Sequence, residues 1–296
     1  MVSGPVSEPL SVTTDPAHGG RWTSLCAGGR EWLWRRDEPR RPLVAPGDAF
    51  ADAGGLEECV PTVRGTPDHG DAWSRPWRRD GDEEYVDCPD FRLTRRIRTD
   101  IRTEGDTPGR VLNQTPCAPG GRTTRHPQHA LVADYRLTAA SGYRFLWAAH
   151  ALLDVSPRAT PAIRHGTPVR LYPDDGADWH AGAWPQAGGL SLDRLGPDDG
   201  TAVGAVVATS EVSVHDGRNT LHLAVEAAGQ PVSVALWRNL GGFPAGAPYR
   251  SIGVEPMLGR VFDLSAAGEG DAARVPASGE VRWRLTVTTT TAEPAP

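Results

Sequence analysis

Two histidines and a glutamate lie in three well-separated stretches of this sequence. They are His69 in Pro-Asp-His-Gly-Asp, His150 in Leu-Trp-Ala-Ala-His, and Glu255 in Gly-Val-Glu-Pro. An imidazole and a carboxylate can pass protons in opposite directions to two oxygens of one substrate. The opening and closing of a cyclic sugar hemiacetal needs this chemistry. We therefore take His69, His150 and Glu255 as the candidate catalytic residues.

The local sequence gives Glu255 a position that suits a general base. Pro256 favours an extended backbone at the residue before it. Strand alternation then places Glu255 on the same face as Gly253, which leaves room for a ligand. Apolar neighbours would raise the pKa of the carboxyl. The alternative is a solvent-facing glutamate on an edge strand, because charged residues are mostly exposed.

The two histidines have different surroundings in the sequence. His150 lies in a segment that is apolar on both faces, which is typical of a central strand. The alternative there is a core histidine that is bonded to backbone carbonyls. His69 lies in a turn-like segment, and a charged surface turn anchored by a tryptophan is its alternative. Aromatic and charged groups that suit the faces and hydroxyls of a sugar follow it, namely Asp71, Trp73 and Arg75.

Composition restricts the classes of function. The chain has 296 residues and a net charge of −6, and all 31 of its basic residues are arginine. The negative charge argues against a general nucleic-acid-binding surface. The lack of lysine excludes a Schiff-base or P-loop lysine mechanism. The four cysteines have no C-x-x-C spacing, so we expect free thiols and no zinc site; they are Cys26, Cys59, Cys88 and Cys117.

Targeting and cofactor signals are missing from the sequence. The first residues form no basic and apolar leader, and no apolar run approaches the roughly 20 residues that span a bilayer. We therefore expect a cytoplasmic protein with no membrane partner. We also expect no cofactor and no metal, a small-molecule sugar as partner, and a monomer or weak homodimer.

Strand-like segments with turn signals between them recur along the chain. In one of them, Leu221, Leu223 and Val225 alternate with more polar residues. Many short strands with frequent turns favour an antiparallel sandwich. No composition break divides the chain, so we predict one large domain over residues 11–287, a flexible N-terminus over 1–10 and a disordered tail over 288–296. The segment 174–200, rich in Gly, Asp and Pro, is predicted to be a long loop.

Five short motifs, in this order, resemble the aldose 1-epimerase (galactose mutarotase-like) superfamily. They are Gly54 to Thr62, Pro67 to Gly70, the strand that ends in His150, Leu236 to Asn239, and Gly253 to Pro256. The resemblance extends over roughly Ser11 to Val287. It implies an all-β fold, a single large antiparallel β-supersandwich, with a sugar bound on a concave sheet face.

The resemblance also implies a role for each candidate residue. Glu255 matches the general base, His150 the general acid, and His69 a second active-site histidine that bonds sugar oxygens. Apart from the resemblance, the sequence predicts Trp237 on a strand near Gly241-Gly242, where its ring can stack on a sugar. The implied reaction is the interconversion of the α and β anomers of an aldose or aldose phosphate, without metal or cofactor.

Two other functions also fit the sequence. A non-catalytic carbohydrate-binding module could use the same scaffold, because fold does not fix function. A non-haem iron oxygenase could use the His-Gly-Asp of His69 and Asp71 together with His129 or His150, as two histidines and one carboxylate. A glycosidase is less well supported, since no pair of carboxylates stands out.

Overall fold

The computed structural model describes residues 9–102, 128–173 and 178–292. The predictions for residues 1–8, for Cys117 and for the last four residues of the tail lie outside these ranges. Cys26, Cys59 and Cys88 are free thiols. No helix in the described part of the chain is long and apolar enough to cross a membrane.

Strands make up nearly all of the regular structure. In chain order they are β1 (Leu10–Asp15), β2 (Arg21–Ala27), β3 (Arg30–Glu31), β4 (Leu56–Cys59), β5 (Arg78–Asp80), β6 (Glu83–Asp87), β7 (Phe91–Arg102), β8 (Gln128–Ala139), β9 (Arg144–Phe145), β10 (Trp147–Ala151), β11 (Thr160–Ala162), β12 (Pro168–Pro173), β13 (His180–Ala183), β14 (Gln186–Ala187), β15 (Leu190–Ser191), β16 (Ala202–Val207), β17 (Glu211–Asp216), β18 (Asn219–Glu226), β19 (Val232–Leu240), β20 (Arg250–Leu258), β21 (Ala273–Arg274) and β22 (Glu280–Thr291). Within the described ranges, short 3₁₀ helices cover Arg41–Leu43 and Leu264–Ala266.

The strands form two large sheets. The first has twelve strands in the order β1-β2-β4-β10-β20-β19-β16-β12-β13-β14-β15, with β3 beside β2. The second has eight strands in the order β11-β17-β18-β22-β8-β7-β6-β5, and β9 pairs with β21 in a small third sheet. The strand pairs within these sheets are antiparallel. The predicted all-β sandwich is confirmed.

Alternation of apolar and polar side chains explains the second sheet. In β18, Leu221, Leu223 and Val225 are buried, as the sequence pattern predicts. In β22, Trp283 and Leu285 point to the same interior. These side chains meet the inner face of the first sheet and form one continuous core. Burial of this core is the main favourable contribution to folding.

The central strands of the first sheet are buried on both faces. In β20, Ile252 and Val254 belong to the core between the sheets. Met257 lies on the opposite face and packs in a second apolar cluster with Val261, from the segment after β20. Phe262 borders the same cluster. The outer face of the first sheet is therefore covered in part by chain segments, and the candidate site lies on this face.

A buried polar network joins the two sheets. The Glu58 carboxylate of β4 accepts hydrogen bonds from Arg95 on β7 at 2.7 Å and from the Tyr135 hydroxyl on β8 at 2.8 Å. It also accepts one from the Trp147 indole on β10 at 2.7 Å. Arg95 donates a further bond to Glu84 at 2.6 Å. Burial of charged groups is costly unless they are paired and hydrogen-bonded in this way.

Two sequence predictions differ from the structure. The segment predicted as a long loop contains three short strands, β13 to β15, which extend the edge of the first sheet. The predicted disordered tail begins inside a strand, because β22 continues to Thr291 and buries Thr288 and Thr289. Threonine is frequent in strands, and β18 offers a paired edge along this whole length.

We expect Glu58→Gln to lower the free energy of unfolding by about 3 kcal/mol, since it leaves the Arg95 charge buried with one carboxylate fewer. Urea denaturation of wild type and variant measures this. Glu280→Gln is the matched control, because Glu280 pairs with Arg282 on the exposed side of β22. It should cost less than about 1 kcal/mol. Equal losses in the two variants would contradict a special role for the network.

Candidate active site

Neighbouring strands bring His150 and Glu255 together. The register pairs Trp147 with Leu258 and Ala148 with Met257, so the next residues along β10 and β20 run side by side. His150 Nε2 lies 3.7 Å from Glu255 Oε1. Both residues are buried, with 9% and 2% of their surfaces exposed. This histidine and carboxylate, which we call the His150–Glu255 pair, form the centre of the candidate site.

Gly253 provides the space that the carboxylate occupies. A Cβ on Gly253 would overlap Glu255 Oε1 and would contact Trp237 at 2.9 Å. The backbone of Gly253 has no positive φ, so the glycine is needed here for space and not for conformation. The Gly-x-Glu spacing in the sequence therefore has a steric reason.

His69 reaches the pair from a tight turn. Its φ is 60°, and it is the one non-glycine residue with positive φ in the described ranges. Its ring centroid lies 5.0 Å from that of His150, with the two rings nearly perpendicular. The ring of Phe50 also contacts His69 and stacks on its imidazole at 3.6 Å. The three predicted catalytic residues thus lie together.

Burial shifts the two pKa values of the pair in opposite directions. Desolvation raises the pKa of the Glu255 carboxyl, and the charges of His150 and Arg64 only partly oppose it. Desolvation lowers the pKa of the His150 imidazole, against the opposing effect of Glu255. Burial therefore disfavours the charged form of both groups, while the charge of each partner favours the charged form of the other.

Three residues of the site were not predicted from the sequence. Arg64 is the cation whose charge acts on Glu255, and it lies 3.7 Å from the Asp68 carboxylate. Asp68 in turn lies 3.1 Å from His69 Nδ1. Phe50 contacts both histidine rings. All three lie in irregular segments, where strand alternation gives no signal.

The predicted substrate contacts occupy different places. Asp71 and Arg75 bond to each other at 3.4 Å, and the Asp71 charge acts on the Cys88 thiol. The structure therefore does not bring them to the His150–Glu255 pair. Trp73 is 1% exposed and packs edge-on against Phe50. Its ring is therefore not free to stack on a sugar. Trp237 is half-buried and lies beside Gly253 in the register.

Glu57 lies beside His150 on the neighbouring strand, and Arg41 is its ion-pair partner. Glu57 is the partner of His150 in the β4–β10 register. Burial raises the pKa of its carboxyl to about 7, although the Arg41 guanidinium opposes this shift. Arg41 donates two hydrogen bonds to Glu57, at 3.0 and 2.9 Å, and one to the Trp73 carbonyl oxygen. These bonds attach the segment that carries Phe50 to the sheet.

The geometry gives little support to a metal site built on His69 and Asp71. The Asp71 carboxylate bonds to Arg75, and His129 lies on β8 in the second sheet. Within the ranges that the structure describes, no three His, Cys, Asp or Glu side chains are arranged to hold a metal ion.

Solved structures of other proteins share the fold of this chain. No family model and no curated protein sequence matches this chain. A solved structure described as a proposed aldose 1-epimerase from Escherichia coli K12 matches with a TM-score of 0.63 and 12% identity, over 97% of this chain and 99% of that one. The chain has the galactose mutarotase-like fold.

Other solved structures share this fold. A galactose mutarotase-related enzyme from Lactobacillus acidophilus matches with a TM-score of 0.57 and 12% identity, over 98% of each chain. A protein from Synechocystis sp. PCC 6803 matches with a TM-score of 0.62 and 14% identity, over 98% of this chain and 97% of that one. At these identities the likeness concerns the fold.

We expect Glu255→Gln to stabilise the protein at about pH 8 and to lower the pKa of His150 further. The raised carboxyl pKa means that burial penalises the ionised form, so the penalty grows as the pH rises through the folded-state pKa. The stability difference from wild type should therefore shrink toward about pH 4. Thermal unfolding across this pH range and NMR titration of His150 measure the two effects.

The matched control for this prediction is Glu211→Gln. Glu211 faces His222 at 4.0 Å in an exposed pair on the second sheet. Its replacement should change stability by less than about 1 kcal/mol at either pH. A Glu255→Gln variant that is less stable than wild type at about pH 8 would contradict the assignment of a destabilising buried charge.

Proposed function

We propose that this protein is an aldose 1-epimerase, which interconverts the α and β anomers of a small-molecule aldose or aldose phosphate. The observation that carries the proposal is the buried His150–Glu255 pair, 3.7 Å apart, in which burial raises one pKa and lowers the other. The shared fold with proteins described as proposed aldose 1-epimerases supports the proposal.

The reaction begins with one proton on the pair, held by His150. Glu255 takes the proton of the C1 hydroxyl while His150 gives its proton to the ring oxygen. The bond between C1 and the ring oxygen breaks, and the C1 carbonyl forms. Rotation about the C1–C2 bond then presents the other face of the aldehyde.

Ring closure reverses these proton transfers. The freed hydroxyl attacks C1 and returns its proton to His150, while Glu255 gives its proton back to the C1 oxygen. Each group must act once as an acid and once as a base. The raised pKa makes the Glu255 carboxylate a stronger base, and the lowered pKa makes protonated His150 a stronger acid. Both shifts therefore favour the ring-opening proton transfers.

The other side chains of the site would bind and orient the sugar. His69 faces His150 and can bond a neighbouring hydroxyl. Arg64 can donate to an oxygen or to an anionic substituent, and its side chain is half exposed. Phe50 covers both histidines, so it must move or make room when a sugar binds.

Glu255→Gln and His150→Asn should each slow anomer exchange by at least about 10²-fold while sugar binding persists, because each loses one general acid or base. NMR exchange spectroscopy on a panel of free and 6-phosphorylated aldoses measures both. The double variant should lose less than the product of the single effects, since the two groups act in one relay. Binding without any exchange in the wild type would favour the carbohydrate-binding module instead.

Gly253→Ala should reduce exchange by about tenfold or more, because the new methyl group displaces the Glu255 carboxylate from its place beside His150. Gly246→Ala is the matched control, since a Cβ there meets nothing within 4 Å. The control should keep wild-type exchange. Full activity in Gly253→Ala, with a folded protein, would show that the position of the carboxylate is not critical.

A further inference from the structure

The backbone at His69 is held in an unusual conformation. A positive φ at a non-glycine residue costs about 1 kcal/mol or more and persists only where the surroundings fix it. Here the turn is closed by the His69 amide, which donates to the Val63 carbonyl oxygen at 3.2 Å. The next amide, of Gly70, donates to the Pro67 carbonyl oxygen at 2.9 Å. The turn therefore fixes the direction in which the His69 side chain leaves the backbone.

Ring contacts fix the rotation of the imidazole. Phe50 stacks on one face at 3.6 Å, with only 8° between the planes. The ring of His150 stands across from it at 83°. With backbone and ring plane both set, the two ring nitrogens have different surroundings, and Nδ1 is the one beside Asp68.

Asp68 is placed to interact with that nitrogen. Its Oδ1 lies 3.1 Å from His69 Nδ1, and Nδ1 has no hydrogen-bond partner among the described residues. The Asp68 side chain is 39% exposed, which leaves space for its carboxylate to rotate into line. Contacts of this kind often become aligned only when a ligand is bound.

Charge keeps Asp68 in its acceptor form. Burial alone would raise the pKa of the carboxyl, but the adjacent His69 imidazole and the Arg64 charge outweigh it and hold that pKa below its usual value. The Asp68 carboxylate therefore offers an acceptor at neutral pH. The charged and titratable groups around His69 are Asp68, Arg64, His150 and, beyond His150, Glu255.

We propose that Asp68 is a positioning residue, which holds the His69 proton on Nδ1 and so leaves Nε2 as a hydrogen-bond acceptor for a sugar hydroxyl. The bond that one ring nitrogen makes sets the role of the other. His69 would then accept a hydrogen bond while His150 donates to the ring oxygen. This inference rests on the proposed function only for the identity of the ligand.

The tautomer of neutral His69 tests the proposal without any assay of activity. Long-range ¹H–¹⁵N NMR spectra, recorded from about pH 6 to about pH 9 and assigned with a His69→Asn variant, distinguish protonation at Nδ1 from protonation at Nε2. In the wild type we expect the Nδ1–H form, and in Asp68→Ala a shift of the population toward Nε2–H. An unchanged tautomer in Asp68→Ala would overturn the proposal.

Two further variants separate the carboxylate from its neighbours. Arg64→Gln removes the ion pair with Asp68 and should leave the His69 tautomer as in the wild type. Asp68→Asn keeps an acceptor oxygen and should preserve more of the Nδ1–H form than Asp68→Ala does. If Arg64→Gln shifts the tautomer as strongly as Asp68→Ala, the effect belongs to the arginine and the proposal fails.

The rate of anomer exchange provides a second test of the role of Asp68. Asp68→Ala should lower kcat/KM by about 10–100-fold, the usual effect of removing a group that orients a functional histidine, and Asp68→Asn should restore part of it. Should the wild type show no exchange, the proposed function fails while the tautomer result still decides the role of Asp68. A shifted tautomer with unchanged kcat/KM would overturn the functional part of the inference.

Discussion

The position of β4 depends on one buried interaction, between the Glu58 carboxylate and the Arg95 guanidinium at 2.7 Å. Neither side chain is exposed to solvent, so their charges must be satisfied inside the protein. The Trp147 indole completes the set from β10, the strand that carries His150. Glu57 is adjacent to Glu58 on β4 and pairs with His150 in the register. The network between the sheets therefore also fixes the position of Glu57 in the site. Two adjacent glutamates of β4 therefore face opposite sides of the strand: Glu58 faces the core, and Glu57 faces the site.

Burial affects the glutamates on the two faces of the first sheet differently, because one is hydrogen-bonded and the other, among the described residues, is not. Inside, Glu58 is balanced by three donors and contributes to the connection between the sheets. Outside, Glu255 Oε2 is buried without a hydrogen-bond partner in the described part of the chain, and its pKa is raised. A carboxylate that is destabilised in this way is a better base, at a cost in folding stability. The covering segments and Phe50 maintain this burial.

The sequence predicts the parts of this structure that depend on periodicity. Alternating residues predict the strands of the sandwich, and Gly253 with Pro256 predicts the orientation of Glu255. The positions of loop residues depend on distant contacts that no local pattern carries. Asp71 and Arg75 have side chains that suit sugar hydroxyls and follow His69 closely in the sequence, but the turn at His69 leads them toward Cys88. Phe50, Arg64 and Asp68 reach the site through folding of irregular segments, and β22 continues beyond the predicted boundary because β18 pairs with it.

The central claim is that His150 and Glu255 share one proton and pass it to and from a sugar. The dependence of kcat/KM for anomer exchange on pH tests this claim most directly. A shared proton predicts a bell-shaped profile, because the site is inactive both when a second proton binds and when the shared proton is lost. The acid limb should lie above the usual pKa of a glutamate, about 4.3, since burial raises the pKa of Glu255. A rate that is independent of pH from about 4 to about 9, or that follows hydroxide alone, would contradict the account.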